Sequence, residues 1–529
     1  RIAWGVTTTN MDFSDIYVET LAEDGDGNPS GVLFRGEEVP FTRVPFDIEF
    51  SDGTSEEREL LFVPHHGPVR SLDADLGTAI TLRWTGNDLD SDINVLTNLA
   101  RAASTEEARV ALEDVTSIGQ NWVIIDADNN IGWYPYNRLP KRTWATPLQG
   151  DAPAWLPLDG ASGEYEWEQY FDLEELPQAT NPAAGFIATA NNDMTGALFD
   201  EDPTTLPSGA SQPPYQSDVA AGFRHAQIVA LIDSIGDAHS VETMDAIISD
   251  VYSLIGERMV PGMLRIANDE ETLPGLNGAK VISALQGWNF NCPSGVDGPI
   301  SDDPLVSDAD VLRESSGCTA FHALLIELRA RIEQNESAPN GRKPSIATYY
   351  SIVDPAKLIG GDVYWDDPGT QEIETDTSVM SDALAAAGDF LVAELGDDEA
   401  RWAWGRLHGL LLQSDLSSLS GLFAEFDNPP PNNPLFANDG GLFTVDVANP
   451  GQTDFVQLAG PSTRFVCEAS AEGPSCTFQL PGGQSSDLNS VNYEDLLFPY
   501  LRNTPLPLVF DLEEARQNAE NGGRVVTFE

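Results

Sequence analysis

The chain has 529 residues, and its 85 acidic and 27 basic residues give a formal net charge of −58 at pH 7. A charge of this size and sign argues against nucleic acids and anionic membranes as partners, because the whole surface would repel them. A hydrophobic content of 41% supplies a large core, and no apolar run reaches the ~20 residues that a membrane-spanning helix needs.

Lysine is rare among the basic residues. The lysines of the sequence are Lys141, Lys280, Lys343 and Lys357. An acidic surface with few lysines is typical of proteins from saline environments, where dissolved ions screen the repulsion between like charges. We therefore expect a saline environment for this protein.

The first 90 residues predict a large antiparallel sheet region. Ile2, Trp4 and Val6 alternate with other residues, as in a half-buried strand. Residues 34–50 and 57–72 are rich in β-branched and aromatic residues, and glycine, aspartate and proline divide them into short strands.

In residues 91–114 the apolar residues recur at helical spacing, and Ser104 can cap a second helix within this range. The apolar residues at helical spacing are Ile93, Leu96, Leu99 and Ala103. Residues 121–125 and 131–133 then predict a β-hairpin around a polar turn.

Residues 140–214 are irregular and rich in proline, apart from a strand-like run at 185–190. Helices follow, and two of them have apolar faces formed by Ile228, Leu231, Ile232 and Ile235 and by Met244, Ile247, Ile248 and Val251. Further helices are predicted at 318–334 and 381–395, and strands at 442–447, 455–458 and 476–480. We expect three regions: a sheet core at 1–215, a largely helical part at 216–430, and C-terminal strands at 431–529 that return to the core.

The four cysteines form no pattern that is typical of a zinc site. Cys467 and Cys476 flank a short segment with glycine and proline, which predicts a hairpin closed by a disulfide. Cys292 and Cys318 are a possible second pair. An even number of cysteines favours an oxidising compartment, and four buried thiols are the alternative.

Common hydrolase signatures are missing from the sequence. It contains no G-x-S-x-G, no H-E-x-x-H and no phosphate-binding G-x-x-x-x-G-K-[ST]. The histidines have no ligand spacing, so each is interpreted as a packed or hydrogen-bonded residue; they are His65, His66, His225, His239, His322 and His408.

Two loops combine polar residues in patterns that could support chemistry. Residues 4–9, WGVTTT, lead into a loop with Asp12, Ser14 and Asp15. Carboxylates at this spacing can direct their oxygens to one point, as calcium requires, and the alternative is a solvated acidic turn. Residues 185–193, GFIATANND, end in paired asparagines, for which a turn or strand-end cap is the alternative.

Together, the two segments resemble motifs of the penicillin acylase family of N-terminal nucleophile amidohydrolases. The resemblance continues in HHG at 65–67, DADNNIGW at 126–133, AGFRHAQI at 221–228, WAWGRLHGL at 402–410 and PGGQSS at 481–486. Several motifs in order make the resemblance specific. It implies a four-layer αββα sandwich of antiparallel sheets between helices, with an irregular helical and β extension.

In this family the nucleophile is the first residue of the mature β chain, usually serine, and its own α-amino group is the base. An α-amine titrates near pH ~8, so it can take the hydroxyl proton and later give it to the leaving amine. The tetrahedral oxyanion needs fixed hydrogen-bond donors. The resemblance assigns this role to the Thr8 backbone N–H and the Asn191 side chain. It places Arg224 where it would orient the nucleophile or substrate; the alternative is an ordinary ion pair on a helix surface.

The resemblance implies hydrolysis of a small amide such as a penicillin, a cephalosporin or an N-acyl homoserine lactone, without an organic cofactor. It places Val95 and Gln120 near the pocket for the acyl group. A polar glutamine there weighs against a purely aromatic acyl group.

The resemblance also implies a structural calcium ion, because the WGVTTT segment is similar to that of the calcium-binding members. Calcium takes ~6–8 oxygen ligands, so a site shared by distant loops would join the irregular stretch to the sheet. The implied ligands are Asp12, the Ser14 carbonyl, Asp15, the Pro153 carbonyl and Asp202.

The sequence departs from the family pattern at its start. A mature β chain begins with Ser, Thr or Cys, whereas this chain begins with Arg1. We expect the nucleophile, the first part of the β chain and the α chain to come from other parts of a processed precursor, and this chain alone to be inactive. Thr7, Thr8 and Thr9 cannot replace the nucleophile, because an internal threonine has no α-amino group.

Two other functional classes stay open. One is a secreted, calcium-stabilised binding or structural protein with the same fold. The other is a glycosidase with paired carboxylates, although 85 acidic residues make coincidental pairs inevitable. Our principal prediction is an acylase that is periplasmic or secreted.

Overall fold

The computed structural model describes residues 2–88, 92–144, 156–195, 219–334, 349–350, 353, 362–367, 369–451, 453–469 and 473–520. The chain divides into two compact units, Arg1–Ala220 with Ala469–Ala471 and Ala221–Glu468 with Glu472–Glu529. The later parts of the division expected from the sequence, 216–430 and 431–529, fall almost entirely within the second unit. Among the described residues, no helix combines the length and apolar character needed to cross a membrane.

The described residues of the first unit form twelve strands and two α-helices. They are β1 (Ile2–Thr8), β2 (Ser14–Glu23), β3 (Pro29–Phe34), β4 (Glu37–Pro40), β5 (Thr42–Glu49), β6 (Ser55–Val63), β7 (Gly67–Asp73), β8 (Thr78–Trp84), α1 (Asp92–Arg101), α2 (Thr105–Leu112), β9 (Gln120–Asp126), β10 (Ile131–Trp133), β11 (Leu158–Asp159) and β12 (Ala179–Thr180). The strands predicted for the first 90 residues and the predicted hairpin of β9 and β10 are confirmed.

Two sheets organise the first unit. The larger sheet has the order β4-β3-β2-β8-β7-β6-β5, and β11 pairs with β2 in parallel. The smaller sheet has the order β1-β9-β10-β12, and its strands are antiparallel. In this order β1 is an edge strand of the described sheet, with a neighbouring strand on one side only. The run at 185–190, predicted to be strand-like, forms no strand, and Gly185 has a left-handed φ of 78°.

Helix α1 packs against the smaller sheet through a face that the sequence predicted only in part. Val95 and Leu99 are completely buried in one core cluster with Trp122. In contrast, Ile93 is 80% exposed, and Leu96 is also exposed. Helical spacing allows two overlapping apolar stripes here, and packing against the sheet selects the one that contains Val95.

The predicted cap of α2 is confirmed. Ser104 has extended backbone angles, and its side chain accepts a hydrogen bond of 3.2 Å from the Glu107 N–H. Such a cap satisfies one of the N–H groups that the first turn of a helix leaves without a partner.

The second unit is mainly helical. Its helices are α3 (Phe223–Ile235), α4 (Val241–Ile248), α5 (Leu254–Ala267), α6 (Gly275–Gln286), α7 (Ala309–Gln334), α8 (Asp362–Trp365), α9 (Asp376–Leu395), α10 (Asp415–Leu419), α11 (Leu497–Leu501) and α12 (Leu512–Glu520). Met259, Leu324 and Leu384 belong to the buried cluster shared by α5, α7 and α9. The two long helices begin earlier than predicted, and α9 ends before Gly396 as predicted.

Short strands complete the second unit. They are β13 (Gly409–Leu410), β14 (Phe436–Ala437), β15 (Asn449–Pro450), β16 (Gln457–Ala459), β17 (Arg464–Glu468), β18 (Ser475–Gln479) and β19 (Leu506–Leu508). The strand predicted at 442–447 is wrong, because Thr444 closes a turn onto Gly441 and Phe443 has a φ of 57°. Disulfides join Cys467 to Cys476, as predicted from the segment between them, and Cys292 to Cys318, which the sequence left as a possible second pair.

Candidate functional site

The end of β1 presents the backbone of Thr8 to the open side of the strand. Thr8 lies opposite Gln120 of β9, and the next residue donates from its N–H to the Gly119 carbonyl at 2.9 Å. Hydrogen-bonded and non-hydrogen-bonded pairs alternate along an antiparallel ladder. The N–H and C=O of Thr8 therefore point away from β9, towards the side where β1 has no neighbouring strand among the described residues.

Asn191 lies on this open side of Thr8. Its Nδ2 atom donates to the Thr8 carbonyl at 3.2 Å. The residue has a left-handed φ of 59°, which asparagine tolerates better than most residues, and its carbonyl accepts from the Ala220 N–H at 2.8 Å. The backbone conformation of this turn thus directs the Asn191 amide to the end of β1.

Asn192, the second of the paired asparagines, has a different position. The Asn192 side chain is buried, accepts from the Ala190 N–H at 3.0 Å and donates to the Asp193 carbonyl at 3.2 Å. These bonds stabilise the turn itself. Asn191 is therefore the asparagine that reaches Thr8.

A buried asparagine that the sequence analysis missed holds the end of β1 in place. The Nδ2 atom of Asn121 donates to Thr7 Oγ1 at 3.1 Å, and its Oδ1 atom accepts from the Trp133 indole at 2.9 Å. Thr7 Oγ1 in turn donates to Thr189 Oγ1 at 2.9 Å. Asn121 thus connects β1 to β10, and Thr7 connects β1 to the segment that leads into Asn191.

The two residues expected near the acyl pocket lie in different environments. Gln120 is half-buried, and its side chain is on the same face of the sheet as that of Thr8, because the two residues form a cross-strand pair. Val95 is completely buried in the core cluster of α1 and contributes no exposed surface. Gln120 therefore lies beside the end of β1, whereas Val95 is a core residue.

Arg224 lies in the second unit, in the first turn of α3. The helix begins after Gly222, whose φ of 83° turns the chain into it. Burial lowers the pKa of the Arg224 guanidinium from its usual value. A role for Arg224 next to the nucleophile stays a prediction of the resemblance.

The described part of the expected calcium site surrounds an arginine. The Arg142 Nε atom donates to both carboxylate oxygens of Asp15, at 3.1 and 2.9 Å. Its two terminal nitrogens donate to the carbonyls of Asp12 and Ser14, at 3.1 and 3.0 Å. Pro153 and Asp202 lie outside the described residues. Oxygens of Asp12, Ser14 and Asp15 therefore surround the guanidinium of Arg142.

These three residues do not fit a divalent ion as they are arranged. A calcium ion bound to the same oxygens would lie within a few ångströms of the Arg142 charge, and like charges at such a distance repel strongly when they are buried. Two other groups of potential ligands occur among the described residues. Cys292 and Cys318 are joined in a disulfide, and both ring nitrogens of His66 are hydrogen-bonded to glutamates.

Comparison with known proteins identifies the family. A family model described as penicillin amidase matches residues 1–517. The chain belongs to the penicillin amidase family. Among curated relatives, the acyl-homoserine lactone acylase QuiP of Pseudomonas aeruginosa is 25% identical over 95% of this chain and 58% of its own length. Penicillin acylase 2 proenzyme of Pseudomonas sp. strain SE83 is 26% identical over 99% of this chain and 61% of its own length.

The fold is that of a solved penicillin amidase relative. A thermostable penicillin G acylase from Alcaligenes faecalis matches 100% of this chain and 88% of its own with a TM-score of 0.65, at 18% sequence identity. This likeness confirms the predicted N-terminal nucleophile hydrolase fold of helices and antiparallel sheets. The chain spans about three-fifths of the length of the curated relatives reported above.

Proposed function

We propose that this penicillin amidase family chain forms the main part of an acylase that hydrolyses the amide bond of a small acylated compound. The observation that carries the proposal is the position of the Asn191 Nδ2 atom, 3.2 Å from the Thr8 carbonyl on the open side of β1. The Thr8 N–H points to the same side, so a backbone N–H and a side-chain amide lie side by side, as the binding of an oxyanion requires.

The reaction that suits these donors is acyl transfer to an N-terminal nucleophile. The α-amino group of the nucleophile takes its hydroxyl proton as the oxygen attacks the amide carbonyl. The negative oxygen of the tetrahedral intermediate accepts hydrogen bonds from the Thr8 N–H and Asn191 Nδ2. The α-ammonium group gives its proton to the leaving amine, and water then attacks the acyl-enzyme by the same route.

The attacking residue is proposed to lie in a part of the precursor outside these 529 residues. The relatives named above extend well beyond the region that this chain matches, which supports that view. The internal threonines at 7–9 carry no α-amino group and cannot replace such a residue. An α chain from the same precursor and this preceding segment are the proposed partners, and the chain by itself is proposed to be inactive.

For the substrate, we propose an N-acyl compound with a small leaving amine. Penicillins, cephalosporins and N-acyl homoserine lactones have this arrangement, and the names of two relatives refer to homoserine lactones and penicillin. Gln120, beside Thr8 on the same face of the sheet, gives the expected acyl pocket a polar wall. A purely aromatic acyl group fits such a wall poorly, so we favour an aliphatic or substituted acyl group.

The same proposal places the protein in the periplasm or outside the cell. Its two disulfides, Cys292 with Cys318 and Cys467 with Cys476, support an oxidising compartment. The net charge of −58 supports a saline environment.

Expression of this chain together with the coding segment that precedes it tests the proposed function. Mass spectrometry of the purified protein should show a mature chain that begins with Ser, Thr or Cys, and alanine at that position should abolish amide hydrolysis. The assay should use penicillin G, a cephalosporin and N-acyl homoserine lactones of several acyl lengths. Equal activity of the 529-residue chain alone would refute the need for a separate nucleophile. Inactivity of the processed protein on all three classes would favour a binding or structural protein with this fold.

A further inference from the structure

Arg142 and Asp15 form a buried ion pair in the first unit. Both side chains are 1% exposed. In addition to the contacts with Asp15, Arg142 donates to two backbone carbonyls, and one terminal nitrogen lies 3.2 Å from Asp12 Oδ1. A planar guanidinium with several fixed donors is well suited to such a set of converging oxygens.

The Asp15 carboxylate accepts hydrogen bonds from a second side chain besides Arg142. Its Oδ2 atom also accepts a hydrogen bond of 2.6 Å from the Trp167 indole. The guanidinium of Arg83 lies over the same indole ring, 5.2 Å from its centre, and Arg83 is the cross-strand partner of Asp15. Asp15 therefore has two arginines as neighbours, and a divalent ion would add to positive charge that is already present.

The backbone just before Arg142 is held in position. Pro140 forms a β-bridge with Tyr170, and the Lys141 N–H donates to the Gln169 carbonyl at 2.9 Å. Arg142 thus extends from a paired segment, and its side chain joins this segment to the loop of Asp12 and Asp15. This is a connection between distant parts of the chain, as a structural metal ion would provide.

We propose that Arg142 is a built-in cation that takes the place of calcium at the loop of Asp12, Ser14 and Asp15. Arginine stays protonated at every pH at which the protein is folded, and its charge cannot be removed by a chelator. The loop is therefore fixed without a metal ion, and these three residues bind no calcium in this chain. The inference is independent of the proposed catalytic activity.

Thermal unfolding and calorimetric titration of the full chain test the proposal. Wild type should unfold at the same temperature with EGTA and with millimolar calcium, and calcium should give no binding heat. Arg142→Gln should lower the melting temperature by roughly 5–10 °C, because it leaves Asp15 buried without its partner. Arg142→Lys keeps the charge but not the planar donors, so its melting temperature should fall between the two.

Arg138→Gln is the matched control, because Arg138 is an exposed arginine four residues away whose guanidinium stacks 4.4 Å from the Tyr170 ring centre. Its melting temperature should stay close to that of wild type. Equal losses in Arg142→Gln and Arg138→Gln would overturn the proposal. So would stoichiometric calcium binding by wild type that raises its melting temperature and is lost in Asp15→Asn. This second measurement needs only folded wild type and decides the question even if Arg142→Gln does not fold.

Discussion

The Oδ1 atom of Asn121 accepts a hydrogen bond of 2.9 Å from the Trp133 indole, 12 residues further along the chain. Asn121 is completely buried, and its amide group also donates to Thr7 on the neighbouring strand. One asparagine therefore fixes three strands of the smaller sheet directly behind the residues proposed to bind the oxyanion.

Asn121→Ala should lower the free energy of unfolding by about 2–3 kcal/mol, because it leaves the Trp133 N–H buried without an acceptor and removes the bond to Thr7. Urea unfolding followed by tryptophan fluorescence measures the change. Asn87→Ala is the control: Asn87 is exposed, and its side chain donates a 3.2 Å hydrogen bond to the Leu82 carbonyl, so its loss should cost no more than about 1 kcal/mol. Similar losses in both variants would contradict the role given to Asn121.

Stability should depend on pH through His66. Burial lowers the pKa of His66, but hydrogen bonds to Glu166 and Glu19 raise it more, so that the net pKa lies above the usual 6.5. The stabilisation from protonated His66 is therefore complete below pH 6.5 and is lost as pH rises through the folded-state pKa. The difference in free energy of unfolding between wild type and His66→Gln should shrink as pH rises above 6.5. A difference that grows over that range would contradict this assignment.

His65 should show the opposite pH dependence, which makes it the control for His66. Burial, followed by the nearby charge of His66, lowers the pKa of His65 below 6.5. Its contribution is present above pH 6.5 and is lost as pH falls through the folded-state pKa. The charged groups that face this pair are Glu19, Glu166 and Arg83. Urea unfolding of His65→Gln at a series of pH values should therefore show a difference from wild type that shrinks towards low pH.

A buried ion pair in the second unit should be costly to break on one side only. Arg464 pairs with Asp446, and both side chains are almost completely buried. Arg464→Met should lower the free energy of unfolding by about 3–5 kcal/mol, because the Asp446 charge stays buried without its partner. The double variant Arg464→Met with Asp446→Leu should lose less than the single variant. A double variant that loses the sum of both single effects would show that the pair is not coupled.

The sequence predicted the local elements well, where side chains within a few residues decide the structure. Ser104 capped α2 as its spacing indicated, and the turn between β9 and β10 is closed by Asp126, which accepts from the Asn130 N–H at 3.0 Å. The same local patterns could not select the buried face of α1. Leu96 and Val95 lie on overlapping stripes, and only packing against the sheet decides between them.

The candidate site is formed by residues that are distant in the sequence, so no local pattern could predict their contacts. Asn191 and Thr8 are 183 residues apart, and the approach of the asparagine depends on a left-handed turn that an isolated sequence does not specify. Resemblance to the family supplied that pair. It did not supply Asn121, and it suggested a calcium ion where Arg142 lies, because the acidic residues that attract the two cations are the same.

The activity of Asn191→Ala in the intact, processed enzyme tests the central claim most directly. The account predicts a fall in kcat of about 10²–10³-fold, because one donor to the oxyanion is lost. Asn129→Ala is the matched control, since Asn129 also has a left-handed φ, 64°, and lies in the exposed turn between β9 and β10. Alanine therefore meets the same backbone strain in both variants. A large loss in Asn191→Ala alone supports the oxyanion role, whereas equal kcat values in the two variants would contradict it.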